Sequence, residues 1–447
     1  MQNAQLQSTY SHTFIVFLRA NILQDFLCLI LIDVAKLKRN IPKNFKMTDY
    51  SLIIRYNHLK LITEAYLEIF FTILNIIKYL IYILIAIAIV IFIFLKVSPA
   101  FGGTPDKDAL KTIKNSQNFF EGKFQNIKTN YSNFRSSEKK ATFKDWFSPP
   151  KDKNPLKPLP TIKFKGKDLI EGKFVWLGHS TLLMNTEGLV VMTDPVFNRA
   201  SPLPSFNSNS KSNFFNGKPF EFENPILIDD LPKVDVVIIS HDHYDHLDSK
   251  AIKDLSGLVD HFIVPLGVGA HLERWGVIKN KITELDWYES NNYKDIEFTF
   301  APALHFSGRG VFNGNSTLWG SWIVKSKSLS AYFSGDGGYS ETFKKLGEEY
   351  GPFDIAFIEN GAYNVDWSNV HMYPDEAVQA SIDLKAEILF PIHWSKFDLS
   401  IHPWDEPIIR ITKEAAKKNV NIATPMIGEV FELSNIPKKS WWEKLRN

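Results

Sequence analysis

The sequence predicts an α/β protein: an αββα sandwich, two sheets between helices, preceded by a single transmembrane helix. Three observations predict it. The apolar run Val234-Asp235-Val236-Val237-Ile238-Ile239-Ser240 reads as a buried strand and ends in HDHYDHLD, His241 to Asp248. Beyond His246, strand and helix candidates alternate. Ser249–Leu255 suits a helix, residues 261–265 a strand, 271–275 a helix, 282–287 a strand, and Pro374–Asp383 a helix opened by Pro at its first position. Finally, residues 69–95 carry one charge, Lys78, and residues 79–95 carry none.

From the N-terminus, residues 1–68 read as an extension. Within it, residues 14–34 are apolar but interrupted by Arg19 and Asp25, too polar for a span. Met47-Thr48-Asp49-Tyr50 would serve as a second start, which would leave residues 1–46 untranslated. Residues 69–96 read as the membrane anchor. At 1.5 Å per residue they would extend about 40 Å, sufficient for a bilayer core of roughly 30 Å. Sidedness stays open, because Arg55, Lys60 and Lys78 precede the span while Lys96, Lys107, Lys111 and Lys114 follow it. Residues 97–167, rich in Lys, Asn, Ser and Pro, read as an extended tether packing lightly on the domain, with a short helix near 106–120. Residues 168–435 form the main domain. The tail, 436–447, carries Trp441-Trp442 between lysines, placed either at a lipid interface or packed at the end of a polar segment.

HDHYDHLD packs three histidines and two useful carboxylates into His241 to His246. A strand ending this way brings imidazole nitrogens and a carboxylate to one point, a donor set that zinc takes readily. The same rule, a ligand at the end of an apolar strand, selects three more places. Glu297-Phe298-Thr299-Phe300-Ala301-Pro302-Ala303-Leu304 leads to His305, Leu329-Ser330-Ala331-Tyr332-Phe333-Ser334-Gly335 to Asp336, and Ala386-Glu387-Ile388-Leu389-Phe390-Pro391-Ile392 to His393. Each alone is more often a cap or turn residue. Together with His241, His243, Asp245 and His246 they suffice for two metals sharing one carboxylate.

This pattern resembles the metallo-β-lactamase fold superfamily. The resemblance implies that His241, His243 and His305 hold one zinc, that Asp245, His246 and His393 hold a second, and that Asp336 bridges them. The β-lactamase branch itself, with a Cys at the second site, is disfavoured because the only cysteine is Cys28. A narrower similarity covers most of residues 170–435. Trp176-Leu177-Gly178-His179-Ser180-Thr181, Thr193-Asp194-Pro195-Val196-Phe197, Leu318-Trp319-Gly320-Ser321-Trp322, Gly335-Asp336-Gly337-Gly338-Tyr339 and Ile392-His393-Trp394 resemble N-acyl-phosphatidylethanolamine-hydrolysing phospholipase D. That similarity implies a phosphodiesterase releasing N-acylethanolamine and phosphatidic acid, with Tyr244 and His371 touching the phospholipid. Asp336 would keep the ions in register, and Asp245 would also accept a hydrogen bond from the attacking water. Two alternatives stay open: a lactonase or phosphodiesterase acting on a soluble phosphorylated metabolite, like the ascorbate-6-phosphate lactonases, and a non-catalytic sensor domain. Among other polar residues after strands, Asp194 reads as an Asp-Pro turn and His179 as a residue orienting a ligand or the water.

Composition bounds the rest. A chain of 447 residues is long enough for two or three domains. A formal net charge of +2 gives no reason to expect nucleic acid, and one cysteine allows no disulfide framework. The aromatic share, 14%, supplies core and, at some positions, rings suited to a lipid interface. The partners expected are a membrane lipid substrate and the bilayer itself through one helix, with room for a homodimer.

Overall fold

The computed structural model describes residue 39 and residues 50–128, 152–202 and 217–445. The apolar stretch 14–34 and the second start at Met47 lie outside the described residues. The chain divides into two units, Met1–Phe92 and Ile93–Asn447. The first is dominated by α1 (Tyr50–Val97), which continues into the second. It begins well before the expected span, since residues 50–68 combine good helix formers with apolar side chains. Its stretch Ile54–Val97 is long and apolar enough to cross a membrane, and none of its most apolar window is buried. Such a helix is suited to lipid on every side.

The second unit corrects the expectation of a light tether. At the end of α1, Arg274 donates to the carbonyls of Lys96 and Val97 (both 3.1 Å), and just past it Trp275 Nε1 donates to Pro99 O (2.8 Å). Gly103 N donates to His271 Nδ1 (2.9 Å). A Cβ on Gly102, which has φ +73°, would come within 2.2 Å of His271 Nδ1, and one on Gly103 within 1.9 Å of Ala270 O, so only glycine allows this approach. Next come α2 (Lys107–Asn115), capped by Asp106, and the hairpin of β1 (Phe119–Phe120) and β2 (Lys123–Phe124). Ile113 and Phe124 are buried in the main core, as is Leu159 further on. The polar average of this segment hid a few widely spaced apolar anchors.

The sandwich has two mixed sheets. The first runs in the order β15 (Val430–Glu432), β3 (Lys173–Trp176), β4 (Leu182–Thr186), β5 (Leu189–Thr193), β6 (Val234–Ile238), β7 (Val259–Pro265), β8 (Ile282–Leu285). It is antiparallel as far as β5 and parallel from β5 to β8. The second runs β14 (Ala386–Ile392), β13 (Phe353–Glu359), β12 (Ser330–Phe333), β11 (Ser321–Lys325), β10 (Ile296–Ala301), β9 (Ser290–Tyr293), parallel from β12 to β14 and antiparallel elsewhere. Val236 and Ile238 face the core between the sheets, while Val237 and Ile239 join a second cluster on the outer face with α3 (Ser249–Leu255) and α4 (Gly269–Arg274). Both faces of β6 are covered, so its sequence is continuously apolar rather than alternating. Three further helices, α5 (Thr342–Glu349), α6 (Pro374–Asp383) and α7 (Glu406–Lys418), complete the unit.

The tail is packed. Trp441 and Trp442 are buried against Trp394, and Trp441 also against Trp404, so the lipid-interface placement for this pair is set aside.

A candidate metal centre at the strand ends

β6, β10, β12 and β14 all finish at one edge of the sandwich, and the residues just past them converge. HDHYDHLD is the turn between β6 and α3. Its last residue, Asp248, caps α3 by accepting from Lys250 N (2.9 Å) and Ala251 N (3.2 Å). All seven predicted ligands meet here. Donor atoms of His241, His243 and His305 lie within 4.8 Å of one another, as do those of His241, His246 and Asp336, and those of His179, Asp245, His246 and His393. Asp336 stands between the groups: its Oδ2 is 3.1 Å from His246 Nε2, 3.1 Å from His393 Nε2, 3.8 Å from His305 Nε2 and 3.9 Å from His241 Nε2.

The donors fit a divalent cation. His246 Nε2 and Asp336 Oδ1 are buried with no hydrogen-bond partner, a costly arrangement for polar atoms unless something else satisfies them. His241, His246 and His305 turn Nε2 toward Asp336 Oδ2, while the other nitrogen of each of these three rings is engaged behind. His246 Nδ1 contacts Asp194 Oδ2 (2.7 Å), His305 Nδ1 contacts Val370 O (3.0 Å), and His241 Nδ1 contacts Ser240 Oγ (2.9 Å). Such partners fix the tautomer and the ring orientation of a ligand.

The two sides differ in charge. Burial, reinforced by neighbouring imidazoles, holds His241 and His305 well below the usual histidine range, and burial likewise lowers His243. Burial also opposes a charge on His393, but Asp336 and Asp245 outweigh it and raise that ring to about 10. His246 is raised well above the usual value in the same way, despite burial, by Asp336, Asp245 and Asp194. Reciprocally, although burial acts to raise them, Asp245 and Asp336 lie well below the usual carboxylate range because of His246 and His393.

Three residues have larger parts than the sequence suggested. His179, at φ +54°, is inside the centre: its Nε2 contacts Asp245 Oδ2 (3.0 Å), and its carbonyl accepts from His393 N (3.1 Å), His393 itself having φ +67°. Two non-glycine residues in the left-handed region side by side indicate a conformation held by its surroundings. Burial, then the proximity of His393, keeps the His179 ring neutral down to about 3. Asp194 is more than an Asp-Pro turn, since its carboxylate accepts from Ser240 N (2.7 Å) and Ser240 Oγ (2.6 Å) as well as meeting His246. Glu359 escaped notice, although the strand-end rule that selected His393 would have selected it at the end of β13. It accepts from Met372 N and lies 3.3 Å from His371 Nδ1. Burial raises its carboxyl.

The two expected substrate contacts part company. His371 sits at the rim, with its ring stacked 5.3 Å from His393 and edge-on 5.2 Å from His305. Tyr244 is turned aside. Its hydroxyl donates to Arg309 O, and the Arg309 guanidinium lies 4.2 Å from its ring, so the expectation of a hydroxyl free to meet phosphate is corrected. Burial pushes that phenol up to about 12. Arg309 is itself buried, donating through Nη1 to Asp242 O (2.6 Å) and Leu247 O (2.7 Å). Asp242, between His241 and His243, accepts from Gly308 N (2.7 Å) and contacts His271 Nε2 (3.3 Å).

Comparison with known proteins agrees with this geometry. Residues 190–394 match the β-lactamase superfamily domain. An uncharacterised protein of Mycobacterium tuberculosis is 41% identical over 273 residues, 60% of this chain and 70% of that protein. N-acyl-phosphatidylethanolamine-hydrolyzing phospholipase D 1 of Caenorhabditis elegans is 35% identical over 277 residues, 58% of this chain and 75% of that one. The mitochondrial enzyme of the same name from Saccharomyces cerevisiae is 29% identical over 242 residues, 52% and 49% of the respective chains.

Proposed function

The chain belongs to the metallo-β-lactamase superfamily, and from that premise we propose a membrane-anchored, two-zinc phosphodiesterase acting on N-acyl-phosphatidylethanolamine-like lipids. It would release N-acylethanolamine and phosphatidic acid. The observation that carries this reading is the shared carboxylate: Asp336 Oδ2 within 4 Å of donor nitrogens from both histidine groups. Similarity to the nematode phospholipase supports the substrate class.

One zinc would be held by His241, His243 and His305, the other by Asp245, His246 and His393, with Asp336 common to both. When bound, such a pair supplies a water acidic enough to act as nucleophile near neutral pH and neutralises the charge of a phosphodiester. The chain's own residues do the rest. Asp245, 14% exposed in its side chain against 2% for Asp336, lies toward the open side and would accept a hydrogen bond from the attacking water. His179 and His393 both contact its Oδ2, fixing the carboxylate's orientation. His371, with Nδ1 turned to Glu359, would offer Nε2 to a phosphate oxygen of the substrate. The anchor would keep the enzyme at its lipid.

Elemental analysis combined with turnover of a panel of phosphodiesters and lactones tests the reading. Two zinc ions per chain and preference for a long-chain N-acyl phospholipid are expected. One metal or none, with His305 and His393 intact, would refute the two-zinc centre. Preference for a water-soluble lactone over every lipid would refute the substrate.

A further inference from the structure

The loop after His305 holds apolar side chains outward. Phe306 is 45% exposed, Val311 72% and Phe312 90%. Phe306 also packs on the rings of His243 and His305, with centroids 4.5 and 4.8 Å away. The loop is fastened along its length: Asn315 N donates to Ser307 O (2.9 Å), Ser307 Oγ to Thr317 O (2.6 Å) and Gly310 N to Asn313 Oδ1 (2.6 Å). Adjacent apolar side chains fixed in water are unfavourable, and such patches mark interaction surfaces.

Arg309 indicates what covers them. Besides anchoring the loop to Asp242 and Leu247, its Nε donates to Ala100 O (2.8 Å), and its guanidinium lies 5.1 Å from the Trp275 ring. Trp275 in turn holds Pro99 O, and Arg274 holds the carbonyls of Lys96 and Val97. The root of the apolar loop and the segment just past α1 therefore share Trp275, whose neighbour Arg274 holds the last carbonyls of α1. From Val97 to Ala100 there are at most about 11 Å of chain, comparable with the roughly 5–8 Å headgroup layer on each side of a bilayer core.

We infer that residues 306–312 are a lipid-docking loop. Val311 and Phe312 enter the leaflet at which α1 ends, and the donor cluster, flanked by Phe306, opens on that leaflet's headgroups. The occupant is lipid because the patch is tied to the end of an apolar span, and aromatic rings are favoured at that depth. This deepens the proposed function and rests on it for the anchor and the substrate.

The test uses the full-length chain with Cys28→Ser, reconstituted in phosphatidylcholine vesicles and labelled with an environment-sensitive fluorophore at Phe312→Cys. The control is Lys327→Cys, an exposed position in the β11–β12 turn, at the opposite end of the strand that leads to Asp336. Emission at 312 should shift to the blue and be quenched by spin-labelled lipid, while 327 reports water. Equal, weak quenching at both positions overturns the proposal. So does shielding at 312 without lipid quenching, which would assign the patch to a second copy of the chain.

A second arm separates docking from substrate choice. Val311→Ser/Phe312→Ser should lower turnover of N-acyl phospholipid in vesicles about tenfold, equivalent to about 1.4 kcal/mol, and leave a water-soluble phosphodiester unaffected. Quenching at 312 in a protein that hydrolyses no lipid supports docking and refutes the substrate. Full lipid turnover by the double variant with 312 unquenched does the reverse.

Discussion

His246 and His305 stand on opposite flanks of the donor cluster and are held in contrasting ways. His246 is backed by Asp194, one residue past β5, and Asp194 is itself gripped by Ser240 at the end of the neighbouring β6. The support behind the His246 ring comes from adjacent strand ends of one sheet. The backbone of His305 is held by Asn126, which donates to its carbonyl (2.8 Å), accepts from its N–H (3.1 Å) and also meets Trp319 Nε1 (3.2 Å). Close by, Asp242 and Arg309 are linked to Gly103 and Ala100 through His271 and directly. This second flank is assembled from segments nearly two hundred residues apart. One flank follows from the sandwich itself, whereas the other requires the segment after α1 to arrive.

Truncation breaks that contrast most severely. Deleting residues 1–96 should release a soluble, cooperatively folded domain, because the contacts from Val97 onward survive. Deleting residues 1–128 removes Ile113 and Phe124 from the core and Asn126 from His305. Buried Ile and Phe are each worth about 2–5 kcal/mol, against a total stability of roughly 5–15 kcal/mol. The longer deletion should therefore yield insoluble or molten protein, assessed by denaturant unfolding and near-ultraviolet circular dichroism. A longer deletion that unfolds at the same denaturant concentration as the shorter would return residues 97–128 to the status of a tether.

Single substitutions sharpen the comparison. Asp194→Asn would set an amide donor against His246 Nδ1 and drive the ring proton to Nε2, the atom that faces Asp245 and Asp336. Metal affinity should fall about 10–100-fold, the usual cost of losing such a partner. Asn126→Ala on the other flank leaves the His305 ring held by Val370 O, so metal affinity should fall by less, while the melting temperature drops. Competition with a chromophoric chelator measures both. Equal losses of affinity would mean that the flanks are supported alike.

The same division governs how much could be read beforehand. The sandwich, the helix opened by Pro374 and the convergence of the seven donor residues were legible because each depends on a local pattern: an apolar run, then a polar residue at its end. Glu359 and Asp194 obey that pattern too, but carboxylates after strands are so often caps or turns that their part emerges only when β5 lies beside β6 and β13 beside β14. The packing of residues 97–128 was not legible at all. Its evidence in the sequence is a pair of glycines and a few apolar residues within a polar stretch, and none of these names a partner far along the chain. Tyr244 shows the converse error, since a position between His243 and Asp245 fixes where a backbone goes and not where the side chain turns.

The smallest effect tests that last point. Tyr244→Phe removes a hydroxyl that donates to Arg309 O and keeps the ring beside the guanidinium. Losing one such hydrogen bond should cost about 0.5–1.5 kcal/mol of stability. Turnover of N-acyl phospholipid should stay within about twofold, equivalent to about 0.4 kcal/mol, because the hydroxyl is engaged by Arg309 O. His371→Ala should reduce turnover much further at unchanged metal content, since its ring lies against both His305 and His393. A large loss of lipid turnover in Tyr244→Phe, with metal content and melting temperature unaltered, would show that the hydroxyl leaves Arg309 to meet the substrate. The Arg309 flank would then be a moving part of the site rather than its fixed support.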